Sequence, residues 1–200
     1  MKKRKFKLVR QTKETKVEVD LNLDVEVTDS CIATTIGFMD HMLTLFTMYA
    51  GIGLTIKATG DTCVDDHHLV EDIGITLGQT LKTSLGTKVG IMRYGFCLLP
   101  MDEALSYVAL DLSGRFFLDY DVLTVQNELN SSFNYNLIYD FFYALADNAK
   151  VTLHIKTLKG RDNHHIIESI FKAFGLALKQ AMAVSNVENT FILSTKGTLA

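Results

Sequence analysis

Residues 66–73 read DHHLVEDI, and residues 163–170 read NHHIIESI. The two stretches share the pattern His-His-x-x-Glu and are offset by 97 residues, about half of the 200-residue chain. Each is preceded by an alternating apolar and polar stretch and a glycine, and is followed by apolar residues at helical spacing. An internal repeat of this kind predicts a chain built from two copies of one structural unit.

The remaining patterns predict the contents of each unit. Residues 16–21, 54–57, 107–112 and 151–154 alternate as strands do, whereas residues 39–49 and 139–148 have the apolar spacing of helices. Two further helices are predicted to begin near the His-His pairs. We therefore predict an α+β fold made of an internally duplicated unit, each half an antiparallel sheet with two helices packed on one face. The chain is predicted to form a single domain, residues 1–200, with repeats at about 1–93 and 94–200.

Composition limits the classes of partner. The net charge of −3 provides no overall basic field for a nucleic acid, so we expect no nucleic-acid partner. Cys31, Cys63 and Cys97 are far apart, which argues against a thiolate zinc site or a disulfide framework. No stretch is long and apolar enough to suggest a membrane span or a signal peptide, so we expect a cytoplasmic protein with no membrane partner.

The His-His pairs are candidate metal ligands. On a helix, His67 and His68 both reach the side of Glu71, but the two side chains diverge by about a hundred degrees. Adjacent histidines arranged in this way suit two different divalent ions better than one, and the second motif has the same spacing. A single pair would more often be an exposed helix start or a buried hydrogen-bonded pair. Because the polar pattern is present in both halves while much else differs, we favour metal binding.

Several basic residues lie in segments that also contain glycine or hydroxyl groups. Arginine and lysine can bind phosphate oxygens, and hydroxyl groups and exposed backbone amides can complete such a site. Each residue taken alone would be read as a solvated surface charge. The candidates are Arg93, Arg115, Lys172 and Lys196, the last in the segment that begins at Ser194.

Further motifs occur along nearly the whole chain, namely DHML at residues 40–43, DDHHLVED at 65–72, MDEAL at 101–105, DLSGR at 111–115, DNHH at 162–165 with Glu168, FKAF at 171–174 and STKG at 194–197. The combination and order of these motifs resemble those of the imidazoleglycerol-phosphate dehydratase family. The resemblance implies a hydro-lyase of L-histidine biosynthesis that converts D-erythro-imidazole glycerol phosphate to imidazole acetol phosphate and water.

The resemblance also implies roles for individual residues. It implies a manganese cofactor, with two ions per active site, and metal ligands at His41, His67, His68, Glu71, His164, His165 and Glu168. Glu14 matches a substrate-contacting glutamate, and we take Glu14, Glu71 and Glu168 as candidate proton carriers. The implied phosphate-binding residues are Arg93, Arg115, Lys172, Ser194 and Lys196. The family assembly implied is a 24-subunit homo-oligomer built from trimers, with metals at subunit interfaces.

Three positions depart from the family pattern. Asp140 stands where a further metal-binding histidine is common, and a carboxylate is still a competent ligand for manganese. Leu45 and Tyr49 stand where glutamine and histidine are common near the substrate. These departures leave a rival reading, a non-catalytic metal-binding shell protein derived from the enzyme. A two-metal phosphate-ester hydrolase is a second rival.

Overall fold

A computed structural model describes residues 4–25, 30–123, 133–184 and 191–199. Within these ranges the order strand, strand, strand, helix, strand, helix occurs twice. The first half contains β1 (Lys5–Gln11), β2 (Thr15–Asn22), β3 (Cys31–Ala33), α1 (Gly37–Ala50), β4 (Gly53–Gly60) and α2 (His67–Leu85). The second half contains β5 (Tyr94–Met101), β6 (Ala104–Asp111), β7 (Phe117–Asp121), α3 (Leu137–Ala149), β8 (Thr152–Lys159) and α4 (Asn163–Met182).

Each half forms one four-stranded sheet. The strand orders are β1-β2-β4-β3 and β5-β6-β8-β7, so the two sheets have the same topology. The α+β class and the duplication are confirmed. The sheets are mixed, however, because β3 pairs parallel with β4 and β7 pairs parallel with β8. In each case a helix joins the two strands, and this crossover returns the chain in its original direction.

The helices lie between the two sheets and pair across the halves. The α1 helix packs against α4, and α2 packs against α3, while α2 and α4 also cover the inner faces of their own sheets. Aromatic rings fill the junction, with Phe46 of α1 stacked on Phe174 of α4 at a centroid distance of 5.1 Å. The buried residues of both halves form one hydrophobic core. Burial of this shared core drives the association of the halves.

The outer faces of the two sheets differ. On the first sheet, Lys7 pairs with Glu18 at 2.6 Å and Lys5 pairs with Asp20 at 3.3 Å. On the second sheet, the edge strand β5 presents exposed apolar side chains, with Phe96 66% and Leu98 56% exposed. No helix in the described part of the chain is long and apolar enough to cross a membrane.

Candidate metal and phosphate sites

The His-His pairs occupy the first turns of equivalent helices. In α4, the Asp162 side chain accepts hydrogen bonds from the backbone N–H groups of His164 at 2.8 Å and His165 at 3.2 Å. In α2, the Asp65 side chain accepts from the backbone N–H of His67 at 2.9 Å. Side-chain acceptors are preferred there because the first helical N–H groups have no partner within the helix. The local sequence therefore fixes where each pair of imidazoles leaves its helix.

Three predicted ligands meet where α1 crosses α4. The Nε2 atoms of His41 and His164 lie 3.3 Å and 3.1 Å from Oε2 of Glu168. One donor atom from each residue lies within 4.8 Å of the other two. The second oxygen of Glu168 pairs with Nζ of Lys172 at 2.6 Å. Two imidazoles and a carboxylate at this spacing are a suitable partial ligand set for a borderline divalent cation.

The charge state of Glu168 also suits a cation. Burial acts to raise the pKa of this carboxyl group. Hydrogen bonds from Lys172 and His41, together with the positive charges of these two groups, outweigh that effect, so the pKa is lowered. The ionised form of Glu168, which is the form that binds a metal, is therefore favoured.

An equivalent contact lies where α2 crosses α3. Nδ1 of His67 is 3.5 Å from Oδ2 of Asp140. Asp140 lies near the start of α3, as His41 lies near the start of α1, so Asp140 takes the place of His41 in the repeat. Glu71 lies one turn after His67 on the exposed side of α2. The structure thus brings His67 and Asp140 together, with Glu71 on the same helix.

The second histidine of each pair, His68 or His165, contacts carboxylates that the first histidine does not contact. Nδ1 of His68 is 3.2 Å from Asp61 and 3.9 Å from Glu14. Nδ1 of His165 is 2.9 Å from Glu103 and its Nε2 is 3.8 Å from Asp102. An ionised carboxylate has no proton to donate and can only accept a hydrogen bond. The proton of a neutral imidazole ring therefore lies on Nδ1, and Nε2 keeps its lone pair. Carboxylates commonly orient metal-binding histidines in this way.

These contacts also change the pKa values of the groups involved. The hydrogen bond to Asp61, together with the charge of Glu14, raises the pKa of His68. The hydrogen bond to Glu103 raises the pKa of His165, and the same contact lowers the pKa of Glu103 to about 2. Glu103 is therefore ionised at neutral pH and remains an acceptor for His165.

Asp61 and Glu103 were not among the site residues predicted from the sequence. Asp61 directly follows Gly60 at the end of β4, and Glu103 lies in the turn between β5 and β6. The sequence signal that could have identified Asp61 is a carboxylate at the end of a strand, shortly before a predicted helix. Spacing along the sequence could not identify either carboxylate, because the contacts of Asp61 with His68 and of Glu103 with His165 depend on how a turn packs against a helix.

Four of the predicted phosphate-binding residues line one cavity of about 570 Å³, namely Arg93, Arg115, Ser194 and Lys196. Arg93 is held there by Asp111, whose carboxylate accepts from Nε at 2.7 Å and from a terminal nitrogen at 2.9 Å. This hydrogen bonding raises the pKa of Arg93, which therefore stays charged. Arg93 also donates to the backbone carbonyl of Leu193 at 2.7 Å, next to Ser194.

Lys172 lies apart from this cavity, at the α1–α4 cluster. Besides Glu168, its ammonium group faces the ring of Tyr49, with the nitrogen 5.6 Å from the ring centroid. Tyr49 therefore contacts a predicted site residue, whereas Leu45 is half-buried against the core. The structure groups Lys172 with predicted metal ligands and not with the four cavity residues.

The fold and the two helix crossings define the class of protein. It is a duplicated α+β protein in which histidine and carboxylate side chains, both possible metal ligands, meet at equivalent helix crossings. Residues 34–178 match the family model described as imidazoleglycerol-phosphate dehydratase. The chain belongs to the imidazoleglycerol-phosphate dehydratase family.

Relatives cover the chain from end to end. The protein named imidazoleglycerol-phosphate dehydratase from Endomicrobium trichonymphae is 61% identical over 199 residues and is covered in full, as is this chain. The protein of the same name from Oceanobacillus iheyensis is 51% identical, with 98% of this chain and 100% of the relative covered. Among solved structures, imidazoleglycerol-phosphate dehydratase from Staphylococcus aureus is 38% identical. Its TM-score is 0.80, with 90% of this chain and 99% of that chain covered. The structure of IGPD from Pyrococcus furiosus is 36% identical with a TM-score of 0.77, covering 96% of this chain and 100% of that chain.

Proposed function

We propose that this protein dehydrates D-erythro-imidazole glycerol phosphate to imidazole acetol phosphate and water in L-histidine biosynthesis. Family membership over the whole chain supports the reaction. The observation that carries the proposal is the meeting of His41, His164 and Glu168 where α1 crosses α4. A related contact between His67 and Asp140 lies where α2 crosses α3. Donor groups at both crossings fit a reaction that uses two metal ions.

We propose manganese as the metal, with two ions per active site. Imidazole nitrogens and carboxylate oxygens are ligands that manganese accepts, and the described donor groups contain both types. His41, His164 and Glu168 would hold one ion, and His67, Glu71 and Asp140 would hold the other. When bound, manganese supplies Lewis-acid stabilisation of negative charge that develops on the substrate.

The second histidines support a site shared between subunits. His68 and His165 are oriented by Asp61 and Glu103 through Nδ1, so the Nε2 atom of each neutral ring is the nitrogen available to a metal. Both rings lie at the protein surface, with the His68 side chain 37% exposed and that of His165 31% exposed. We propose that each completes a metal site together with the donor groups of a neighbouring subunit.

Self-association is supported by the outer face of the second sheet. Exposed apolar side chains on an edge strand are typical of a surface that another protein covers. Tyr94, Phe96 and Leu98 of β5 form such a row. We propose that this face contributes to a 24-subunit homo-oligomer built from trimers, and that the isolated monomer has incomplete metal sites.

Protein side chains would bind the substrate and move its protons. Arg93, Arg115, Ser194 and Lys196 would bind the phosphate group, since their cavity combines charged donors with a hydroxyl group. Lys172, which lies at the other cluster in the same subunit, would reach that phosphate only from a neighbouring subunit. Glu14 is exposed and lies 3.9 Å from His68, so its carboxylate can exchange a proton with a substrate bound beside the metal ligands. Glu71 and Glu168 are the other candidate proton carriers.

The test is formation of imidazole acetol phosphate by purified protein that has been stripped of metal and then supplied with manganese. We expect activity only after manganese is restored. Bound manganese without dehydration would support a non-catalytic metal-binding shell protein. Release of inorganic phosphate from the same substrate would instead support a phosphate-ester hydrolase.

A further inference from the structure

A network of polar side chains, buried at Asp72 and Thr15, joins the turn that carries Glu14 to helix α2. Asp72, which is 7% exposed, directly follows Glu71 in α2. Its carboxylate accepts hydrogen bonds from the guanidinium group of Arg10 in β1 and from the hydroxyl group of Thr15 in β2. One acidic side chain therefore holds both strands of the β1–β2 hairpin against the helix of His67, His68 and Glu71.

The network continues from Asp72 to the backbone of Glu14. The hydroxyl oxygens of Thr12 and Thr15 are 3.2 Å apart. The Thr12 hydroxyl oxygen in turn accepts from the backbone N–H groups of Glu14 at 3.1 Å and Thr15 at 3.0 Å. On the other side of the turn, the backbone carbonyl of Glu14 accepts from the N–H of Asp61 at 3.1 Å.

The carboxylate of Asp72 sets the direction of these hydrogen bonds. An ionised carboxylate only accepts, so the single hydroxyl proton of Thr15 points to Asp72. The Thr15 oxygen can then accept the hydroxyl proton of Thr12, which leaves the lone pairs of Thr12 for the two backbone N–H groups. Hydrogen bonds that share one direction along a chain polarise and so strengthen one another.

The residues described in the second half do not repeat this arrangement. Ser169 occupies the position of Asp72 in the repeat, and its hydroxyl group lies 2.6 Å from that of Ser106 in β6. A neutral pair therefore joins sheet and helix at the equivalent place. A buried charged pair often adds little to stability compared with apolar packing. Among the described residues, the charged pair joins sheet to helix in the half that carries Glu14, whereas a neutral pair does so in the other half. This difference points to placement of Glu14 and not to general stability.

We infer that Asp72 is a positioning residue for Glu14, acting through Thr15 and Thr12. This inference rests on the proposed function, because Glu14 is a proton carrier only in the dehydration reaction proposed above. Arg10 donates to the same carboxylate oxygen of Asp72 as Thr15, so the two strands of the hairpin are tied to one atom of α2. Loss of the carboxylate would let the turn shift relative to α2, and misplacement of a catalytic group by about 1 Å can lower a rate about 100-fold.

The test is a double-mutant cycle with Asp72→Asn and Glu14→Gln, measured as kcat and KM for dehydration together with manganese content. We expect D72N to lower kcat about 10-fold to 100-fold, with KM and bound manganese close to wild type. If Asp72 acts through Glu14, D72N should cause no further loss in the E14Q protein.

Two further variants separate positioning from folding. Thr15→Val removes the hydroxyl group and should lower kcat in the same direction as D72N, whereas Thr15→Ser keeps the hydroxyl group and should retain activity. Ser169→Ala removes the neutral pair at the equivalent position and is the matched control, with kcat expected near wild type even if the melting temperature falls.

Several outcomes would overturn the inference. D72N could lose manganese, or it could lower kcat by the same factor with and without E14Q, and either result would assign Asp72 another role. Wild-type kcat in both D72N and T15V would also overturn it, while leaving the proposed function intact. Absence of dehydration in the manganese-loaded wild-type protein would instead overturn the proposed function, and this inference with it.

Discussion

Asp140 shows how one residue can differ from its partner in the repeat and still occupy an equivalent place. It faces His67 across the α2–α3 crossing, as His41 faces His164 across the α1–α4 crossing. Asp140→Ala should therefore remove a ligand from one of the two proposed manganese sites. We expect metal analysis of D140A to give about half of the wild-type manganese content, because a site that has lost one of few protein ligands binds weakly.

The controls for this prediction lie on the same helix. Asp147 of α3 pairs with Lys150 at 2.6 Å, on the opposite end of the helix from Asp140. Asp147→Ala should keep the full manganese content, and Asp140→His should restore a ligand. Equal manganese content in D140A and wild type would show that Asp140 is not a ligand.

Residue patterns predicted some parts of the candidate site and not others. The His-His pairs that begin at His67 and His164 could be predicted, because each pair and its glutamate lie within about one turn of a single helix. Asp61 and Glu103 could not be selected in this way, since each reaches its histidine only when a turn packs against a helix start. Grouping of Lys172 with Glu168 is local in sequence, but its separation from the Arg93 cavity depends on the whole fold.

Among the elements, the two helix crossings depend on glycines at the same position of the repeat. A Cβ atom added to Gly78 of α2 would lie 2.6 Å from the carbonyl oxygen of Leu145 in α3. A Cβ atom added to Gly175 of α4 would lie 2.9 Å from the carbonyl oxygen of Phe46 in α1. Neither contact can relax by a side-chain movement, because the facing atom in each case belongs to the backbone. The absence of a side chain lets the helices approach closely enough to bring the donor groups together.

Gly175→Ala should therefore destabilise the protein by about 1–3 kcal/mol, because overpacking at the crossing exceeds the gain in helix propensity. Thermal unfolding at fixed protein concentration would measure the effect. Gly37 is the matched control, since it begins α1 and an added Cβ would meet nothing within 4 Å. Gly37→Ala should leave the melting temperature unchanged or raise it, and an equal fall in both variants would contradict the role of the crossing.

The elements also show where sequence patterns stop being informative. Long alternating strands such as β2 and β8 and the amphipathic helices were predictable, because burial of one face leaves a period in the sequence. The three-residue strand β3 is too short to show a period. Its parallel pairing with β4, and the choice of α4 and not α2 as the partner of α1, arise from contacts between distant segments.

At the scale of the whole molecule, the two sheets face their surroundings differently. The first outer face carries the ion pairs Lys5–Asp20 and Lys7–Glu18, whereas β5 of the second sheet carries a row of exposed apolar side chains. Phe96→Asp should place a charge in the proposed subunit interface, where an unpaired buried charge is strongly unfavourable. We expect light scattering to show a smaller assembly for F96D, with manganese-dependent activity lost in parallel.

Val9 provides the control for this variant. It is 48% exposed on β1, which is the edge strand of the first sheet at the position of β5 in the repeat. Val9→Asp should leave both the assembly size and the activity near wild type. Dissociation of V9D but not of F96D would place the interface on the first sheet.

The pairing of helices across the halves also has an evolutionary consequence. Each of the two helix crossings takes one helix from each copy of the repeat, so two separate half-length chains would have to associate as a dimer to form both crossings. Within one chain the two copies can differ in sequence, as Asp140 and Ser169 illustrate. A substitution in a crossing helix of one copy alters a site that also contains a helix of the other copy. The sequences of the two halves are therefore constrained jointly and not one by one.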